Sequence, residues 1–372
     1  MKKIKKAVVF LFPFVLGGGI GFLGSYYGIF LTFFSHFDNI LSFLLFFIFS
    51  FVLSLILAIL LHEFGHLVAG LLSGYRFLSF RVGSLVLVRY KEGFALKRFS
   101  LPGTGGQCLL APPDKKKGAY PYKLYNSGGW IMNVLIALGA FLLFMWSDNP
   151  YLDFFLGTFI TLQVFAALTN GIPLDLGVPN DGKNIQILNK SREAREGFWD
   201  MLKVNELMTE GMRYKDLPEE YLREPEELNP LTVYYPMYRS MALLEMGDYE
   251  KAYTLLKDLM KHPKALSINE SIVHYDLLSC KILLAGDGEG LKSEIDKEFT
   301  KGFYKADKLF KNFLNRNRFW ILYYRYVDNN PKKEEQFQKH FEKVSKTHPI
   351  RGEADSEQAI LDGSFFDHDV SS

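Results

Sequence analysis

Residues 61–67 read LHEFGHL. Side chains four apart share one face of a helix, so His62 and His66 can offer imidazole nitrogens to a single ion while Glu63 lies beside them. This HExxH arrangement suits hydrolytic zinc, which needs two neutral nitrogen ligands, a third ligand, an open position for water and a carboxylate to take the water's proton. Glu63 fits that last role. The flanks sharpen the reading, for FLLFFIFSFVLSLILAIL precedes the motif and VAGLL follows it. Ionisable groups inside so apolar a helix are costly in hydrocarbon unless paired or metal-bound. A histidine pair that only hydrogen-bonds a neighbouring helix is the competing reading.

A third ligand must come from elsewhere in the chain. Residues 168–184, LTNGIPLDLGVPNDGKN, close a second apolar stretch. Pro173 should break that helix and free the following backbone to fold back, which membrane depth tolerates only against protein or a wet cavity. Two aspartates lie on this piece. Asp181 is followed by Gly182, which permits a tight turn, and by the amphipathic run KNIQILN, so it is the expected carboxylate ligand. Asp175 is the alternative, or else a turn residue or helix cap.

These residues need elements to hold them. The chain has 372 residues, 48% of them hydrophobic, with 34 Phe. Apolar runs at about 7–33, 40–72, 129–146 and 151–172 are each long enough to span a bilayer, giving four expected spans. The first follows MKKIKK but is too long for a signal-peptide core, and no small-residue cleavage site closes it. Lys and Arg crowd the N-terminus and the 73–128 connection, whereas SHFDN at 35–39 and SDNP at 147–150 carry none. Basic loops stay cytoplasmic, so both termini are expected there, in a cell membrane. Lys115, Lys116 and Lys117 read as contacts to anionic headgroups of the lipid bilayer.

Charge divides the chain. Residues 1–189 carry 15 Lys+Arg against 8 Asp+Glu, and residues 190–372 carry 28 against 33. Two domains are expected, a membrane domain over 1–189 and a soluble one over 190–372. No basic stripe supports nucleic-acid binding. Only Cys108 and Cys280 occur, without metal-ligand spacing and too few for a disulfide framework.

The ordered set resembles the site-2 protease family of intramembrane zinc metalloproteases. HEFGH at 62–66 stands in an early membrane helix, and Asn170 precedes Pro173 by three residues. Asp181-Gly182 follows a later helix, PGTGGQCLL at 102–110 supplies a glycine-rich segment, and GGWIMN supplies Gly129 and Asn133. The resemblance covers about residues 40–190. It implies cleavage of a transmembrane or small membrane-embedded peptide, with His62, His66 and Asp181 binding Zn2+ and Glu63 as catalytic acid/base. It also implies that Asn170, with Asn133 beside it, supports the substrate or the oxyanion. The seven residues between Pro173 and Asp181 exceed the family's usual spacing, which keeps Asp175 open, and no PDZ-like insert is present.

Between the second and third spans, residues 78–101 alternate on both sides of Lys91-Glu92-Gly93, the pattern of a β-hairpin within a β region over 78–110. Its exposed edge could pair with an unwound substrate segment, or it could only plug a gap between helices. From residue 190 the chain reads as all-α. MALLEMGDYEKAYTLLKDLMKH at 241–262, two helices turning at Gly247-Asp248, resembles a tetratricopeptide (TPR-like) unit, with echoes at 274–295, turning at Gly286-Asp287, and at 318–344, turning at Asn329-Asn330. A period near 40 suggests stacked helix pairs offering a surface to a cytosolic protein or peptide partner. The last dozen residues read as disordered.

The fold class expected is therefore a multi-span α-helical membrane protein with a β-hairpin region and a helical-repeat tail. An intramembrane zinc metalloprotease is the expected function. The alternatives are a non-enzymatic membrane scaffold with a vestigial protease core and a partner-binding tail, and a transporter using the buried charges as a proton relay.

Overall fold

The computed structural model describes residues 33–116, 118–174, 179–285 and 290–366. The span expected over 7–33 and the alternative ligand Asp175 fall outside these residues. Among the described residues three helices are long and apolar enough to cross a membrane: α1 (Ile40–Leu72), α2 (Tyr122–Trp146) and α3 (Pro150–Gly171). Side chains such as Leu41, Phe49, Leu142 and Trp146 are exposed on them, as a lipid-facing surface requires. Asn39 caps α1 by accepting the Ser42 N–H at 3.0 Å, and Asn149 caps α3 by accepting from Tyr151 and Leu152.

Inward, α1 buries Ser50, Ser54, Ala58, His62 and His66, one stripe at four-residue spacing. Small residues on that stripe let the helices close in. At the α1–α2 crossing a Cβ on Gly65 would lie 2.3 Å from the Gly128 carbonyl oxygen, and one on Gly128 would lie 2.3 Å from that of Gly65. Packing of this closeness, rather than hydrophobic exclusion, is what associates helices in lipid. Helix α2 starts at Tyr122, seven residues before the expected 129. The segment YKLYNSG is polar enough to read as a loop, yet Tyr125, Asn126 and Gly128 are buried against protein. Helix α3 ends at Gly171, before Pro173 as expected, and a short helix α4 (Asp181–Lys190) follows.

Contacts divide the chain into two compact units. One holds residues up to Arg76, Gly105–Cys108 and Pro113–Lys190; the other holds Phe77–Thr104, Leu109–Pro112 and the chain from Ser191 onward. Instead of a lone hairpin there is a four-stranded sheet of β1 (Arg76–Val82), β2 (Leu85–Tyr90), β3 (Gly93–Arg98) and β4 (Gly106–Ala111), in the order β3-β2-β1-β4. The β2–β3 hairpin turns at Lys91-Glu92 as expected, pairing Leu87 with Leu96 and Tyr90 with Gly93. Val86, Val88 and Tyr90 alternate inward. The Tyr90 hydroxyl donates to the Pro349 carbonyl at 2.9 Å, the Arg351 guanidinium stacks 3.7 Å from the Tyr90 ring centroid, and Arg351 pairs with Glu92. The hairpin is thus built into the helical unit.

That unit carries α5 (Arg192–Thr209), α6 (Tyr234–Glu245), α7 (Tyr249–Leu259), α8 (Glu270–Ala285), α9 (Lys301–Leu309), α10 (Leu314–Leu322), α11 (Pro331–Thr347) and α12 (Arg351–Phe366). Helices α6 and α7 meet at the expected Gly247-Asp248 turn, where Asp248 accepts the Lys251 N–H. The turn expected at Gly286-Asp287 lies outside the described residues. Of the last dozen residues, expected to be disordered, 361–366 instead continue α12 to Phe366, where Ile360 and Leu361 enter the core with Leu256, Leu266, Val273, Phe319 and Phe341, and the remainder lie outside the described residues.

Inside this core Arg318 is fully buried, donating to Asp276 at 2.5 Å and to Glu357 at 2.7 Å. Burial, reinforced by the nearby Asp276 and opposed by Arg318, pushes the Glu357 carboxyl up to about 8. The folded chain then keeps a proton that the unfolded chain releases between the ordinary glutamate value and about pH 8. Stability should therefore fall as pH rises from about 5 to about 8. Thermal unfolding of the full chain in detergent across this range should show the fall, and Glu357→Gln should flatten it; a stability that rises through the window would contradict the assignment.

Candidate metal centre

Two elements, α1 and the start of α4, bring three ligand atoms together. Nε2 of His62 and Nε2 of His66 lie 3.2 Å apart, and each lies 3.2 Å from Oδ2 of Asp181. An ion held tetrahedrally about 2.0–2.1 Å from each ligand atom needs those atoms roughly 3.3 Å apart, so the triangle fits one face of a zinc tetrahedron. The three residues form the one His/Cys/Asp/Glu group of metal-binding geometry among the described residues. Cys108, though buried nearby in sequence order, is not part of it.

Hydrogen bonds behind the imidazoles fix their chemistry. His66 Nδ1 donates to the Tyr125 carbonyl at 2.8 Å, and His62 Nδ1 lies 2.7 Å from the Asn133 Oδ1, which can only accept. Both protons are thereby assigned to Nδ1, leaving the two Nε2 lone pairs directed at the ion position. Oδ2 of Asp181 is itself buried, and no hydrogen-bond donor among the described residues satisfies it. Acceptors that converge without a donor fit a cation.

Asp181 reaches the site because Asn180, a residue sequence reasoning passed over, clamps two helices. Its Nδ2 donates to the Thr169 and Ile172 carbonyls at 2.6 and 2.7 Å, while its Oδ1 accepts from Leu174 N at 3.1 Å and caps α4 by accepting from Lys183 N at 2.9 Å. An asparagine just before an amphipathic run was the available signal. Gly182 serves close approach rather than a turn, since a Cβ there would meet the Gly171 carbonyl oxygen at 2.3 Å.

Glu63 is buried, and its carboxylate packs on Gly106 at the start of β4, where an added Cβ would lie 2.6 Å from Oε1. Tyr125 joins the two sides of the site, its carbonyl holding His66 and its hydroxyl donating to the Cys108 carbonyl of β4 at 2.7 Å. Of the two asparagines expected to support substrate, Asn133 instead faces His62. Asn170 donates to the Ala166 carbonyl within its own helix at 2.9 Å.

A helix bearing HExxH, a carboxylate returned from a later segment and membrane-length helices around them define a metallopeptidase centre in a membrane protein. The chain matches Peptidase family M50, the site-2 protease family, over residues 50–345, and it belongs to that family. The family consists of membrane zinc metalloproteases. No curated protein and no solved structure matches the chain.

Gly129 offers a direct test of the geometry. A Cβ there would sit 2.5 Å from the Nε2 atoms of both His62 and His66, whereas one on Gly139, on the same helix, meets nothing within 4 Å. Gly129→Ala should lower zinc affinity at least tenfold, the scale of lost ligand support, with Gly139→Ala at the wild-type value. Equal zinc affinities in a chelator competition would contradict the placement.

Proposed function

We propose that this chain is an intramembrane zinc endopeptidase that cleaves a transmembrane or small membrane-embedded peptide. The observation that carries the reading is the triangle of His62, His66 and Asp181 with Glu63 beside it, within a bundle of membrane-length helices. His62, His66 and Asp181 would hold the zinc, and bound zinc would supply a water acidified to near neutral pH and a polarised peptide carbonyl. Glu63, kept in place against Gly106, takes the proton of the attacking water and delivers it to the leaving amine. Asn133 and the Tyr125 carbonyl hold the Nδ1 protons, so each imidazole would offer Nε2 to the ion.

Substrate must be unwound to expose a peptide bond. Strand β4 is an edge of the sheet, and its first residue touches Glu63. An extended substrate segment pairing along that edge would bring its backbone to the base without demanding a sequence, which suits apolar substrates. The edge of β3, at the other side of the sheet, has no such contact to support it. His66 stands six residues before the end of α1, about 9 Å along the helix. The basic 73–128 connection puts that end on the cytoplasmic side, with both termini cytoplasmic if 7–33 also spans. The helix pairs after residue 190 act in this reading as a repeat-like surface that recruits a cytosolic partner or orients substrate.

Two measurements test the proposal. Peptides released from membranes containing wild type should include fragments missing with Glu63→Gln, which keeps the histidines and removes the base; identical fragment sets at full zinc occupancy would support the scaffold alternative instead. Asp181→Asn should lose bound zinc while Asp175→Asn keeps it, and the reverse result would move the third ligand to Asp175.

A further inference from the structure

We propose that Gln163 is a positioning residue of the metal centre, setting through Asn133 the tautomer in which His62 meets the ion. The inference rests on the reading of the site as a zinc centre. His62 can ligate through Nε2 only if its proton sits on Nδ1, and that proton needs an acceptor. Asn133 supplies Oδ1 at 2.7 Å. An amide can present either end, however. Turned over, Asn133 would aim its NH2 at Nδ1, draw the His62 proton to Nε2 and block the ligand position.

What prevents the inversion lies on the far side of Asn133. Its Nδ2 donates to the Ala58 carbonyl at 3.3 Å and to Oε1 of Gln163. The Ala58 contact is long, and Gln163, reaching across from α3, supplies a second acceptor. Asn133 and Gln163 are both fully buried. A chain of three side chains on three helices thus ends at a metal-binding nitrogen: Gln163 on α3, Asn133 on α2 and His62 on α1.

Gln163 as mere helix glue leaves one fact unexplained. Its Nε2 is buried with no hydrogen-bond partner among the described residues. A residue serving adhesion would use both ends of its amide or be replaced by an apolar one, since a buried donor left unmade is unfavourable. Only the acceptor end is engaged, on the one neighbour that orients a ligand.

The test is a double-mutant cycle on zinc affinity, by chelator competition on the full chain in detergent. Asn133→Leu should weaken zinc 10–100-fold, as loss of a ligand's outer partner does, and Gln163→Leu about tenfold. In the Asn133→Leu background Gln163→Leu should cause no further loss, because its effect runs through Asn133. Gln163→Glu, which keeps an acceptor, should stay within about threefold of wild type on the same scale. If Gln163→Leu lowers the thermal stability of the metal-free chain, Gln163→Met removes the acceptor at similar length and carries the same expectation. Wild-type affinity in the acceptor-free variants, or an equal loss with and without Asn133, overturns the proposal while leaving the zinc centre intact. A wild-type chain that binds no zinc overturns the zinc centre and this inference together.

Discussion

Three lone-pair atoms, two of nitrogen and one of a carboxylate, converge to 3.2 Å of one another in the interior of an apolar helix bundle. Such a meeting is unfavourable in hydrocarbon until a positive charge joins it, and the tetrahedral spacing fits a metal ion. Much of the surrounding structure follows from having to hold that arrangement. The α1–α2 crossing must be close, so glycines meet at 65 and 128, and the next glycine, 129, leaves the space in which the imidazoles stand. Asp181 cannot come from α1 or α2, so a broken α3 and the Asn180 clamp deliver it. Even the tautomers are fixed from behind, by a backbone carbonyl for His66 and a side-chain amide for His62.

The second unit solves a different physical problem. It is built around an apolar core, and it buries the Arg318 guanidinium against Asp276 and the carboxyl of Glu357. A lone charge there would be far costlier than the pair, and breaking one partner would leave the others uncompensated. The same unit incorporates the β2–β3 hairpin through Tyr90, Glu92 and Arg351. Strand β4 is shared, its first half counted with the membrane helices and its second with the helical unit.

What could be read from sequence was what depends on period and hydropathy. The i,i+4 histidines, the apolar runs at 40–72 and 151–172, the break before Pro173 and the turns at Lys91-Glu92 and Gly247-Asp248 are local patterns, and each stands within a residue or so of its expected place. What was missed depends on tertiary contact. Polar YKLYNSG hides the first turns of α2 because only burial against α1 reveals Tyr125 as structural. Strands β1 and β4 lie far apart in the chain, so a hairpin was legible and a four-stranded sheet was not. Asn133 was expected beside the substrate, and its true neighbour, His62, is 71 residues away. Asn180 was overlooked because its four hydrogen bonds exist only once α3 and α4 have met.

The metal and its donors decide whether this site is a zinc centre. Zinc K-edge absorption spectroscopy of the purified full chain reads both at once. Two imidazole nitrogens and oxygen donors at about 2.0–2.2 Å, with no sulfur, is the predicted first shell. A sulfur shell near 2.3 Å would mean that a cysteine has displaced this site, and a chain purified and reconstituted without retaining zinc would contradict the central claim outright.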